Sequence, residues 1–308
     1  MTVPVQRETL VVPARAPARR RSLSWMVGYL FILPAIIGFV VFYLYPALRG
    51  LQISFTDWNL LSEPKNVGIA NYQEVVRDPR FWSALGITVK YVLWNIPLQT
   101  ILSLLLAVAM DRLVKSMFVK GLLIVPYLLS NVLVAMIFLW MLDPLLGIVN
   151  QWLDLTPIGK QPFFNSAEQA IPTIALVNVW KHMGFNALLF YAGLQAIPRT
   201  VYEAAAIDGS SEANTFWRIT LPLLRPVTVF VLVTSVIGSF QIFDTVAVAT
   251  AGGPADATKV LVYYIYQNAF GFFRMGYATA MSMVLFAILI LFTLVQMRLL
   301  RAGESDLD

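Results

Sequence analysis

Lys181 and Asp244 stand inside long apolar runs, where charge is expensive. At the centre of a membrane helix an ionised side chain costs about 2.5–3.5 kcal/mol on insertion scales, so it needs a reason to be there. One reading turns both residues inward, near enough to pair or to line a polar path. The other satisfies each separately with water, backbone carbonyls or snorkelling. Trp94, Asn95, Gln99, Asn131, Asn178, Phe185, Ser235, Gln241 and Phe243 lie in or beside the same runs. Amides and hydroxyls bind OH groups, and aromatic faces accept ring CH groups, so this set suits a hydroxyl-rich ring. Each polar member suits hydrogen bonding between membrane helices equally well.

Covalent chemistry has little to work with. The chain has no cysteine, which removes thiolate nucleophiles and metal-thiolate sites. His182 is the sole histidine, and no H-E-x-x-H or G-x-S-x-G pattern occurs. A phosphate-binding P-loop is missing too: Gly159-Lys160 runs into Gln161, with no glycine five residues before Gly159. We expect no enzyme, no metal and no cofactor held by this chain.

The elements that must position these groups are membrane helices. Of 308 residues, 58% are hydrophobic and 13% charged, about half the charge of a soluble domain. Six runs are long enough to span: Met26–Leu48, Lys90–Met110, Gly121–Leu142, Pro172–Ala196, Pro226–Ala249 and Ala278–Met297. Each is expected to be helical, since hydrocarbon leaves no partner for an open backbone, and Pro34, Pro97 and Pro126 are tolerable as kinks. Trp25, Trp58, Trp140 and Trp152 fall near run ends, as an interfacial belt places them. Ser166 and Gln169 have capping-box spacing before the fourth run, and Gly252-Gly253-Pro254 should stop the fifth.

Charge sets the orientation. Arg15, Arg19, Arg20 and Arg21 precede the first run. Arg112, Lys115 and Lys120 follow the second, Arg199, Arg218 and Arg225 follow the fourth, and Arg298 and Arg301 close the chain. The intervening connections are mixed or acidic. The positive-inside rule then places both termini in the cytoplasm. The expected layout is a basic tail at 1–24, a membrane domain at 25–300 and a short tail at 301–308. The first run is too long for a signal-peptide core and lacks a small-residue cleavage site, so it reads as an uncleaved span. Membrane lipid is the expected partner of the surface, and nucleic acid is not.

The connection at about 198–225 is long and amphipathic. Val201–Ile207 should form a short helix with Glu203 in its first turn, broken by Asp208-Gly209. A second helix should carry Phe216, Trp217 and Ile219. Exposed apolar side chains of this kind mark either a partner surface or a helix lying on headgroups.

Its fixed positions are more specific. Glu203-Ala204-Ala205, then Gly209, then Ile219, then Leu221-Pro222 resemble the EAA loop of inner-membrane permeases of binding-protein-dependent ABC importers. SFTDWNL at 54–60, VGIANY at 67–72, PYLLSNVLVAMIFLWML at 126–142, WKHMGFNALLFYAGLQAIP at 180–198 and FDTVAVATAGGP at 243–254 resemble the carbohydrate branch, over roughly residues 25–300. The whole is similar to maltose- and glycerol-phosphate-type permeases, as the first-type subunit. The resemblance implies an all-α type I importer transmembrane domain in a bacterial inner membrane. It implies that Glu203, Ala204, Ala205, Asp208, Gly209, Ile219, Leu221 and Pro222 couple to a cytoplasmic ATPase dimer, which would bind ATP and Mg. A second homologous permease and an extracytoplasmic sugar-binding protein complete the implied assembly. Substrate contacts are implied on the spans beside the loop, favouring Asn178, Phe185, Ser235 and Gln241; Lys181 and Asp244, read as inward-facing charges, complete the expected pathway set. A glycerol phosphate permease or a self-sufficient secondary transporter are the alternatives. The second would need its own ion site and usually repeated halves, and no repeat is visible.

Overall fold

The structure is a computed structural model and describes residues 24–300. The basic tail, all but its last residue, and the tail at 301–308 lie outside the described residues. The chain divides into two units, residues 1–49 and 50–308. The described part of the first is an apolar helical stretch. It comprises α1 (Ser24–Phe39), a π turn at Val40–Leu44 and the start of α2 (Tyr45–Ile53).

The second unit continues from α2. A two-residue antiparallel ladder pairs β1 (Thr56–Asp57) with β2 (Lys65–Asn66). Then come α3 (Ala70–Arg77), α4 (Pro79–Arg112), α5 (Met117–Leu128), α6 (Asn131–Met141), α7 (Ile148–Leu153) and α8 (Ala170–Ala196). The short α9 (Arg199–Ile207), α10 (Glu212–Thr215) and α11 (Leu221–Leu223) precede α12 (Arg225–Phe240), α13 (Asp244–Ala249), α14 (Leu261–Tyr266) and α15 (Met275–Leu299).

Among the described residues four helices are long and apolar enough to cross a membrane: Gly28–Ile53, Pro79–Arg112, Arg225–Ala249 and Met275–Leu299. A bent pair, α5 with α6, makes five. α8 is 27 residues long but is not among them; Asn178, Lys181, His182 and Asn186 interrupt its apolar character.

The expected third span, Gly121–Leu142, needs correction. It is two helices at 91°. Leu129 and Ser130 are extended, with ψ of 145° and 147°. Pro126 removes a donor from the last turn of α5. Ser130 then caps α6, its Oγ accepting from the Leu133 N–H at 3.2 Å. The fifth span is interrupted as well, at Gln241–Phe243 between α12 and α13. The expected capping box does not form. α8 starts at Ala170 without a side-chain cap. The Gln169 amide oxygen instead accepts from the Phe163 N–H at 3.1 Å, and Ser166 Oγ accepts from the Glu168 N–H at 3.3 Å.

α4 is the spine. Its 34 residues extend about 51 Å at 1.5 Å per residue. Phe81, Ala84, Thr88, Tyr91, Asn95, Gln99, Ser103, Ala107 and Met110 repeat every three or four residues and are buried, forming one face. Only the middle of that face is rich in amides. α8 packs along α4 and also against α5, where Gly184 admits the neighbouring backbone: a Cβ there would overlap the Leu123 carbonyl. Small residues allow such close approach in membranes.

One end of α4 is tied to the rest by Asp78. Its side chain caps α4 through the Arg80 N–H at 2.9 Å and accepts from Tyr264 Oη at 2.7 Å and Tyr277 Oη at 2.6 Å. Burial pushes this carboxyl up, but the tyrosine and backbone donors outweigh it and hold it below the ordinary value. Its contribution is therefore complete above pH 3.8, the ordinary value, and fades only as pH falls through the lower folded value. Asp78→Ala should lose a cap and two charge-assisted hydrogen bonds, about 2–4 kcal/mol. Thermal unfolding of the purified protein checks this. Asp78→Asn keeps the capping acceptor and should lose less; an unchanged midpoint for Asp78→Ala would refute the role.

Candidate functional site

The amide-rich stretch of α4 faces α12 across antiparallel neighbours. Asn95 Nδ2 donates to Ser239 Oγ at 2.9 Å, and one turn along Gln99 Nε2 donates to Ser235 Oγ at 3.2 Å. Asn186 Nδ2 on α8 reaches the same Ser235 at 3.5 Å. These groups border a cavity of about 370 Å³ between α4, α5, α6, α8, α12 and α13. That volume falls within the usual ~300–1,000 Å³ of ligand sites. Tyr127 and Phe185 stack on one wall, centroids 4.3 Å apart and planes 8° from parallel. Amides, hydroxyls and a flat aromatic pair thus converge on one space.

Most sequence-selected residues meet there. Asn178, Phe185, Ser235, Gln241 and Asp244 line the cavity, with Asn95, Gln99, Asn131 and Phe243. Trp94 does not; it is exposed on the other face of α4. Lys181 is buried just behind the wall rather than in it. It donates from Nζ to Asn131 Oδ1, and Asn131 Nδ2 donates to Asp244 Oδ2 at 2.7 Å. Lys181 and Asp244 form no ion pair within 4.0 Å. Of the two readings, direct pairing gives way to a bridge: one amide presents its oxygen to the cation and its nitrogen to the anion. Both interruptions in the helices serve this bridge, since Asn131 opens α6 and Asp244 opens α13.

Asn186, Ser239, Thr234 and Tyr127 also line the cavity but were not singled out from the sequence. Helical spacing carries the signal for two of them. Asn178, His182 and Asn186 are four apart, as are Ser235 and Ser239, so each set shares a face. Tyr127 reaches the site only through the bend after α5, which no local pattern announces.

The 198–225 loop is a second feature. α9 begins at Arg199, two residues earlier than expected, so Glu203 sits in its second turn rather than its first. α9 ends in a Schellman motif: the Ser210 N–H donates to Ala205 O at 2.9 Å and the Gly209 N–H to Ala206 O at 3.1 Å. Gly209 has φ +71°, where a side chain is strained. That geometry explains why a glycine stands four residues after Ala205. Ser211 caps α10, and Phe216, Trp217 and Ile219 ride on a π turn at Phe216–Thr220 rather than on an α-helix. Glu203, Ala204, Asp208 and Pro222 are exposed, Ile219 and Leu221 half-buried and Ala205 buried. Ile207 and Trp217 project outward, 86% and 66% exposed. Ala204, Ala205, Asp208, Ile219 and Pro222 share one open groove. Arg112 at the end of α4 braces the loop through Glu212 at 2.6 Å, an exposed pair worth at most about 1 kcal/mol.

Comparisons with known proteins agree with this architecture. Residues 99–303 match the family described as the inner membrane component of binding-protein-dependent transport systems. The chain is 35% identical to the sn-glycerol-3-phosphate transport system permease protein UgpA of Agrobacterium fabrum, over 89% of this chain and 94% of that protein. It is 34% identical to the arabinooligosaccharides transport system permease protein AraP of Bacillus subtilis, over 88% and 87%. In fold it is similar to a chain of a bacterial transporter importing the acidic polysaccharide alginate, with TM-score 0.75 and 24% identity over 91% of this chain and 96% of that one. The chain belongs to the family of inner membrane components of binding-protein-dependent transport systems, as a multi-pass permease subunit.

Proposed function

We propose that this chain forms half of the membrane pathway of an ATP-driven carbohydrate importer. The cavity carries the reading: amides, hydroxyls and a stacked aromatic pair surround a space of ligand size between membrane helices. This reading has six spans with both termini cytoplasmic, taking α8 and the bent α5–α6 pair beside the four long helices. The Lys and Arg pattern of the connections supports that orientation. A second, homologous permease would supply the other half of the path, and a sugar-binding protein would deliver solute from outside. A cytoplasmic ATPase dimer, holding ATP and Mg, would dock on the loop through Glu203, Ala204, Ala205, Asp208, Gly209, Ile219, Leu221 and Pro222. Outward-facing Ile207 and Trp217 give that surface its apolar content. A permease for glycerol phosphate is the second reading, favoured by the likeness to UgpA.

Co-expression of the chain with its neighbouring genes, followed by purification, should recover an ATPase in stoichiometric amount. Glu203→Lys, reversing an exposed charge in the docking face, should cut uptake roughly tenfold, equal to about 1.4 kcal/mol of lost coupling. Membrane insertion should be retained. Purification without any ATPase, or unchanged uptake in the variant, would refute the docking role.

A further inference from the structure

We infer that Asp244 sets the charge class of the solute: the cavity takes uncharged, hydroxyl-rich solutes and turns away those carrying phosphate, sulfonate or carboxylate. This rests on reading the cavity as the solute path. The relatives do not decide the matter, because their names carry both glycerol phosphate and arabinooligosaccharides. The cavity's own charges do. Asp244 is the one carboxylate among its lining residues, no Lys or Arg lines it, and its one imidazole, His182, is held by the Asn178 carbonyl at 3.0 Å. Lys181, the nearest cation on α8, lies behind the wall and is engaged by Asn131. The Asn131 amide is oriented by that cation, so its nitrogen is committed to Asp244 Oδ2.

The other Asp244 oxygen, Oδ1, has no partner among the described residues. It can accept from solute hydroxyls, as the neighbouring amides and serines can. Lys181, farther from the cavity, offsets part of the repulsion: a solute anion about 5 Å from Asp244 and about 8 Å from that cation would be disfavoured by on the order of tenfold, at an effective dielectric near 20.

The test uses the assembled importer in nanodiscs without the binding protein, so that only the membrane cavity selects. Radiolabelled maltotriose is the neutral probe and glycerol 3-phosphate the anionic one, both read by scintillation proximity. Wild type should bind maltotriose at least about tenfold more tightly than glycerol 3-phosphate. Asp244→Asn keeps an acceptor for Asn131 but leaves Lys181 without its carboxylate. It should gain glycerol 3-phosphate binding by tenfold or more, a gain that misfolding does not produce. Wild type binding glycerol 3-phosphate as tightly as maltotriose, or a ratio unmoved in Asp244→Asn, overturns the inference. If wild type binds neither probe while Asp244→Asn gains the anion, charge selection stands and the carbohydrate reading falls. If neither protein binds either probe, the role of Asp244 in the solute path is rejected.

Discussion

Gly184→Val should prevent stable packing of α5 on α8. The position is occupied by glycine because the Leu123 carbonyl fills the space a Cβ would take, with the Leu123 carbonyl carbon close behind it. Backbone cannot rotate away as a flexible side chain can, so α5 must move. Ordinary overpacking costs about 1–3 kcal/mol, and a forced backbone shift should exceed that. A loss above about 3 kcal/mol is a large share of the ~5–15 kcal/mol that holds a typical domain together. Thermal unfolding of the detergent-purified protein should fall by about 6–12 °C or more, and Gly184→Ala should fall by less. The displacement would also carry Tyr127 away from Phe185, opening the aromatic wall. Gly86→Ala is the control: it is an exposed position on α4 where an added Cβ meets nothing within 4 Å. Its midpoint should hold or rise slightly, since alanine is the better helix former by about 1 kcal/mol. Equal midpoints for Gly184→Val and wild type would show that α5 is not packed as described.

Substitutions at Gly209 should grade by their tolerance of the left-handed conformation, not by size alone. The space around it is open, with nothing within 4 Å of an added Cβ. Strain is therefore purely conformational, about 1–2 kcal/mol for an ordinary L-residue and more for a β-branched one. Gly209→Asn should be mild, Gly209→Ala intermediate and Gly209→Val severe. The Schellman bonds to Ala205 and Ala206 would break first, and the turn that joins α9 to α10 would reorient. Under the proposed coupling role, transport in Gly209→Val should drop about 30-fold or more, the equivalent of about 2 kcal/mol or more. The membrane-embedded part should still fold, because Gly209 sits in an exposed turn away from Val201, Tyr202 and Leu223, which pack on the cluster around Ala107 and Met110. Uptake assays beside expression measurements read the two effects separately. A flat series of uptake values would dissociate this turn from coupling.

Several features were legible before any coordinates. Apolar runs require helices wherever water is excluded, so the positions of α4, α8, α12 and α15 follow from composition. α8 and α15 start two or three residues before their apolar runs, whereas α12 ends nine residues short of Ala249. Asp78 caps α4 and carries it eleven residues upstream of Lys90. Residue type marked Asn178, Phe185, Ser235 and Gln241, the family resemblance favoured them, and all four line the cavity. Gly209 was legible because its conformation is a local property: a helix that must end in a turn has few other residues to use.

What the tertiary structure decided lies where local preferences were neutral or misleading. Pro126 read as a tolerable kink within one span, yet α5 stops at Leu128 and Ser130 caps a new helix, α6. Ser166 and Gln169 had the spacing of a capping box, yet Gln169 found better partners in Phe163 and Gln161. Glu203 lost its place in the first turn because α9 could begin earlier, at Arg199. The largest difference concerns Lys181 and Asp244. By sequence alone they were two costly charges in separate helices. A 91° bend 50 residues away from Lys181 brings Asn131 between them, and one amide satisfies both. Burial of apolar surface dictates that such helices form. Where a buried charge finds its partner depends on contacts between distant segments, which only the assembled fold brings together.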